Sequence, residues 1–142
     1  MEAFLISPVR KITKKEQKTI KKWVEKMEKD AGVKIHWPQR DTNQDDPIGI
    51  RICEDNAGAI LLNPTTFVWW NKKSQGSLFD LGMAFMLTVL EKMLKEGMPM
   101  ELLEKFLRGR WILTANHDQI EKTPAKSFNN VLLELDKRRG VL

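Results

Sequence analysis

Apolar positions along the chain fall into short runs that alternate with longer stretches of helical spacing. Residues 3 to 7, AFLIS, form a run stopped by Pro8, too short for an independent helix and suited to a buried strand. Thr13-Lys14-Lys15-Glu16 has capping-box spacing, and Ile20, Trp23, Val24 and Met27 then share one helical face until Gly32. Val33, Ile35 and Trp37 alternate with Lys34 and His36 up to Pro38, which predicts a second strand with a forced end. Residues 39 to 47, QRDTNQDDP, form turns, and Asp46-Pro47 suits an N-cap and first helical position. Ile48, Ile50 and Ile52 alternate like a strand, whereas Cys53, Ala57, Ile60 and Leu61 recur like a helix. The available length favours a helix ending before Asn63-Pro64.

The second half continues the alternation. Thr65 to Trp70, TTFVWW, has the β-branched and aromatic composition of a third strand. After Asn71 to Gly76, the positions Met83, Met86, Leu87, Leu90, Met93 and Leu94 form one apolar stripe that stops at Gly97. Pro99 opens a shorter helix through Leu107, and Trp111 to Thr114 is a candidate fourth strand. Thr123-Pro124 caps a last helix whose Phe128, Val131, Leu132 and Leu135 share a face, with Lys137, Arg138 and Arg139 at its negative end. No internal repeat interrupts the series.

Strands that alternate with helices pair in parallel through right-handed crossovers, giving a sheet covered on both faces. The expectation is therefore a single domain over residues 1–142, an α/β fold of the doubly wound, Rossmann-like kind with a mostly parallel sheet of four to five strands. Ligands of such sheets collect at the carboxyl ends of the strands. That directs attention to loops 7 to 12, 38 to 47, 70 to 77 and 115 to 122.

Composition narrows the function classes. The single cysteine, Cys53, excludes an internal disulfide and reads as a packed helix residue, and no apolar run of signal-peptide or membrane-span length follows Met1. A soluble cytoplasmic protein with no membrane partner is expected. The net charge of +5 is local: residues 10 to 34 hold ten lysines or arginines against four acids. These basic residues occupy the polar side of the first helix without interleaved aromatics, so a nucleic-acid polymer is the weaker partner reading. His36 and His117 have no partner at metal-ligand spacing, so no metal is expected. The hydrolase elbow and the NTPase and dinucleotide loops are all missing, and no cofactor is expected.

The stretch SQGSLFDLGMAF, residues 74 to 85, puts one carboxylate, Asp80, at the start of an apolar helix. Two readings stand side by side. Ser77-Leu78-Phe79-Asp80 has the spacing of a capping box, in which Asp80 merely accepts the N–H of Ser77. Alternatively, Gly76 lets a ligand approach the backbone, Ser77 offers its hydroxyl, and Asp80 aims into the strand-end crevice.

The strings HWPQRDTNQDDPIGIRICEDN, VWWNKKSQGSLFDLGMAF and EKTPAKSFNNVLLELDKR resemble the nucleoside 2-deoxyribosyltransferase-like superfamily, particularly its small bacterial and phage branch. The resemblance implies a flavodoxin-like sheet, a homo-oligomer, and transfer or hydrolysis at the N-glycosidic bond of a (deoxy)nucleoside or nucleotide. The family's catalytic element is similar to D-x-G-T-x-x-E-x-G-x-A. Gly76-Ser77 occupies its Gly-Thr, Asp80 its nucleophilic Glu, and Gly82 and Ala84 its small residues, while its leading Asp falls at Ser74. Ser74 or Gln75 is then left to make the sugar or base contact.

Cleaving such a bond puts positive charge on the sugar, which a nearby carboxylate stabilises and can capture covalently. A second group must protonate the leaving base or activate water, and in retaining glycosidases the two carboxyls stand roughly 5 Å apart. Asp41 and Asp45 are the candidates by topology, with Glu54 behind them; turn and cap chemistry is the plain alternative for each. Arg40 is a phosphate contact or an ion-pair partner, as is Arg51, while Arg10, after Ser7 in the loop that follows the first strand and adjoins the crevice, is the better candidate for a phosphate or ribose contact. Trp37 and Trp70 end strands and offer flat surfaces for a base, against the competing role of core packing. Trp69 points away from Trp70 by alternation. A catalytically silent nucleotide-binding module on the same fold is the rival function.

Overall fold

The computed structural model describes residues 1–140. Its elements in order are β1 (Glu2–Ile6), α1 (Lys14–Ala31), β2 (Lys34–His36), α2 (Pro38–Asp41), α3 (Ile50–Leu62), β3 (Thr65–Val68), α4 (Gln75–Lys95), α5 (Met100–Leu107) and α6 (Phe128–Arg138). The chain forms two compact units, one of residues 1–44 and 54–88, the other of residues 45–53 and 89–140.

The first unit is built on a parallel sheet in the order β2-β1-β3. Ala3 pairs with Ile35 and Thr65, and Phe4 with His36 and Thr66. Successive strand side chains point to opposite faces, so β1 serves two cores. Ala3 and Leu5 pack with Ile35, Trp37 and the α1 residues Ile20 and Val24. Phe4 and Ile6 face the other way, onto Ile60 of α3 and onto Leu81, Ala84 and Leu87 of α4. A strand buried on both faces is therefore apolar at every position from Ala3 to Ile6, as a run without alternation requires.

Local signals place the elements. Thr13 caps α1 by accepting the N–H of Glu16, and Gly32 ends it in the left-handed region at φ 62°, which a residue with a Cβ adopts at a cost. The peptide after β2 turns immediately into α2, a helical turn in a segment expected to be loop; the Asp41 carboxylate accepts the Trp37 N–H and closes it. Asp46 accepts the N–H groups of Ile48 and Ile52, the capping role its Asp-Pro context suggests.

In the second unit, Ser127 caps α6 by accepting the N–H of Asn130, so that helix begins beyond Thr123-Pro124. Thr123 instead donates its N–H to the Asn130 side chain. The fourth strand expected at Trp111–Thr114 does not form. Trp111, Ile112 and Leu113 are exposed, and the Thr114 N–H goes to the Asp136 carboxylate at 2.8 Å, so the segment joins no ladder. The sheet among the described residues thus has three strands rather than four to five. No helix among them is long and apolar enough to cross a membrane.

Candidate functional site

The first turn of α4 is capped three residues earlier than capping-box spacing suggests. Ser74 accepts both the Ser77 N–H, at 3.2 Å, and the Ser77 hydroxyl, at 2.9 Å. Ser77 is thereby buried inside the first turn, and Asp80 is released from any capping duty. The reading of Asp80 as partner to the Ser77 N–H is therefore replaced.

Asp80 lies one turn further along the face that carries Leu81, Ala84 and Leu87 against β1, and only 7% of it is exposed. A carboxyl inside an apolar stripe loses hydration, which disfavours its charged form. Burial accordingly pushes the Asp80 carboxyl up to about 7, against the opposing pull of a hydrogen bond from Asn56. The side-chain amide of Asn56 donates to Asp80 Oδ2 at 3.1 Å. Asp80 Oδ1 accepts no hydrogen bond from the described residues and is not among the sealed unpartnered atoms, so it retains contact with solvent.

Asn56 continues the network. Its Oδ1 accepts the Thr42 hydroxyl at 3.0 Å, and Thr42 Oγ1 lies 3.0 Å from His36 Nε2. His36, at the end of β2, stacks on Phe4 with ring centroids 5.4 Å apart. Partial burial lowers its pKa, favouring the neutral ring. Thr42 and Asn56 are themselves buried. No motif singles out His36, Thr42 or Asn56 as a functional residue, although Asn56 shares the helical stripe of Cys53 and Ile60, and a polar residue there signals a buried partner.

The acidic neighbour expected for Asp80 is thus an amide. Asp41 is engaged elsewhere: Arg40 Nε donates to Asp41 Oδ1 at 2.8 Å, and the Trp37 N–H to Oδ2 at 2.8 Å. Burial raises the Asp41 pKa, but the Arg40 and Trp37 hydrogen bonds outweigh it and hold the carboxyl below its ordinary value. Arg40 also reaches both Glu28 oxygens and the Ile35 carbonyl, and its hydrogen bonds to Asp41 and Glu28 raise its pKa. Its contacts are ion pairs with Asp41 and Glu28 and one hydrogen bond to a backbone carbonyl.

The remaining candidates divide between display and packing. Trp37 is buried in the α1-side core and donates its indole N–H to Ser7 Oγ at 3.1 Å, so both are committed to each other. Trp69 packs edge-on against Trp23, whereas Trp70 is 60% exposed. Arg10, Glu54, Gln75 and Gly76 are exposed, and Ser74 is half-buried. Asp45 belongs to the second unit, where its backbone carbonyl accepts from Arg51. The structure therefore brings Ser74, Ser77 and Asp80 onto one helix start and joins Asp80 to the segment after β2 through Asn56 and Thr42.

A hollow of about 680 Å³ opens between α3 and α4, lined by Ala57, Leu61, Phe79, Gly82, Met83 and Met86 among others. It is apolar, and Asp80 is not one of its lining residues. Among the described residues no group of three histidines, cysteines or carboxylates is placed to hold a metal ion. No protein family model, curated protein or solved structure matches the chain.

Proposed function

We propose that the chain cleaves the N-glycosidic bond of a (deoxy)nucleoside or nucleotide, or transfers its sugar to another base, with Asp80 as the carboxylate that engages the anomeric carbon. The observation that carries this reading is the state of Asp80: a largely desolvated carboxyl at about 7, one oxygen held by Asn56 and the other retaining only a slight contact with solvent. Near neutral pH half of such a group is ionised, and outside water its charge acts strongly on a developing oxocarbenium ion. In the proposed reaction Asp80 forms a bond to C1′ while the base departs with the glycosidic electron pair and gains a proton from water. A water molecule or second base then displaces Asp80 from the sugar.

The parallel order β2-β1-β3 supports placing the substrate at the carboxyl ends of the strands, since it is the order with which a flavodoxin-like sheet begins. A doubly wound fold of the nucleoside 2-deoxyribosyltransferase-like superfamily, a homo-oligomeric assembly and a cytoplasmic setting belong to the same proposal. The test is a panel of nucleosides and their 5′-monophosphates incubated with the protein and analysed by chromatography. Free base should appear with the wild type and vanish with Asp80→Ala.

A second reading is favoured by one observation, the 7% exposure of Asp80. A carboxyl so far enclosed suits a silent module that binds a nucleotide without turning it over. That reading predicts ligand-dependent thermal stabilisation by mass action with no product.

A further inference from the structure

The hydrogen-bond chain ending at Asp80 has a direction that can be read from its chemistry. An ionised carboxylate only accepts, so Asp80 Oδ2 must face the Asn56 NH₂ group, and Asn56 Oδ1 must then accept from its other neighbour. That neighbour is Thr42, whose single hydroxyl hydrogen is thereby used. Thr42 Oγ1 is left as an acceptor toward His36, so His36 Nε2 must carry a hydrogen and, in the neutral ring, Nδ1 must be bare. Each link is about 3 Å long, and Thr42, Asn56 and Asp80 are buried, so solvent does not compete for these partners.

We propose that Asn56 is a positioning residue that occupies Asp80 Oδ2 and leaves Oδ1 as the oxygen that reacts, with Thr42 and His36 fixing which way the Asn56 amide points. The inference rests on the reading of Asp80 as the reacting carboxyl. Reversing the amide would set the Asn56 carbonyl against the carboxylate, two acceptors in contact, and the Thr42 hydroxyl, donating to Asn56 Oδ1 while accepting from His36 Nε2, reinforces the orientation that the carboxylate selects. A proton on Asp80 obeys the same rule: with Oδ2 receiving a hydrogen bond, it resides on Oδ1, the atom that meets solvent. The titratable groups nearby are His36, separated from Asp80 by Thr42 and Asn56; Asp41, held by Arg40; and Glu54 and Asp55, exposed on α3. Burial, rather than any of these charges, is the source of the shift at Asp80.

The experiment is a carboxyl carbon NMR titration of Asp80 in the wild type, Asn56→Leu, Thr42→Val and Thr42→Ser, with the His36 tautomer read from its ring nitrogens. Asn56→Leu should move the Asp80 midpoint upward, Thr42→Val should do so less, Thr42→Ser should restore it, and wild-type His36 should be protonated on Nε2. On a nucleoside that the wild type cleaves, kcat/KM at acidic pH should fall roughly tenfold in Asn56→Leu, the size of one hydrogen bond to a charged group, fall less in Thr42→Val, and stay at the wild-type level in Thr42→Ser. An unmoved midpoint in Asn56→Leu, or a wild-type His36 protonated on Nδ1, overturns the proposal. The tautomer decides the matter even if Asn56→Leu does not fold. The midpoints and the tautomer need no turnover: shifted midpoints without base release would sink the glycosidic function, and with it the reacting oxygen, while the order of the hydrogen-bond chain stands.

Discussion

Replacing Asp80 with asparagine should make the protein more stable, and increasingly so as pH rises. Burial sets the folded carboxyl at about 7 against an ordinary 3.8. At 1.36 kcal/mol per unit, that difference is worth about 4 kcal/mol. Between the two values the folded protein holds a proton at this position that the unfolded chain has released, so stability declines as pH rises from about 4 to about 7 and the loss is complete above. Asparagine cannot ionise, and its carbonyl still accepts from Asn56. The variant and the wild type should therefore match near pH 4 and differ by up to about 4 kcal/mol at pH 8, in favour of Asp80→Asn. Urea unfolding followed by tryptophan fluorescence reads chiefly the unit in question, which holds four of the five tryptophans, Trp111 being in the other. His36, kept neutral by burial, contributes in the opposite sense, its stabilisation growing with pH, but it does so in both proteins and cancels in the difference. Parallel pH profiles, or a wild type more stable than the variant at pH 8, would refute the burial argument.

Two further outcomes follow from the site's surroundings. Arg40→Ala should cost about 1 kcal/mol in urea, because its pairs with Glu28 and Asp41 are partly exposed, and should leave the affinity for a 5′-monophosphate unchanged. A large loss of that affinity would return Arg40 to the ligand. Ser74→Ala should cost about 1 kcal/mol as a lost N-cap, whereas Ser77→Ala, which keeps the capped N–H, should cost less. The reverse order in thermal or urea unfolding would restore Ser77 as the cap.

The elements that sequence revealed are those whose packing follows one period. The face of α1 with Ile20 and Val24, its Thr13 cap and its Gly32 stop are all written locally, and β1 reads as a buried strand because apolar residues fill both faces. Trp111–Thr114 has equally good strand composition, but composition does not reveal whether a neighbouring strand is present to pair with it, and here the Asp136 carboxylate takes the Thr114 N–H. α2 is a turn closed by Asp41 and Trp37 rather than by any apolar periodicity.

The site was legible at Asp80 and obscure around it. Capping-box spacing points to Ser77 as the start of α4, and only the hydrogen bonds to Ser74 show that the cap lies three residues earlier. Charge points to Asp41 and Asp45 as partners, whereas the partner found is the uncharged Asn56, whose role depends on a side-chain contact between α3 and α4 that no local spacing encodes. Its place on the stripe with Cys53 and Ile60 was the available signal.

The measurement closest to the central claim is intact-mass spectrometry of the protein after exposure to nucleosides fluorinated at the 2′ position, which slow release of a sugar from a carboxylate by destabilising the oxocarbenium-like transition state. Covalent capture by Asp80 gives a mass gain equal to the fluorinated sugar, free base in solution, and an adduct that peptide fragmentation maps to Asp80 and that Asp80→Asn lacks. Base release from unmodified nucleosides that persists in Asp80→Asn, or an adduct on another residue, would contradict it.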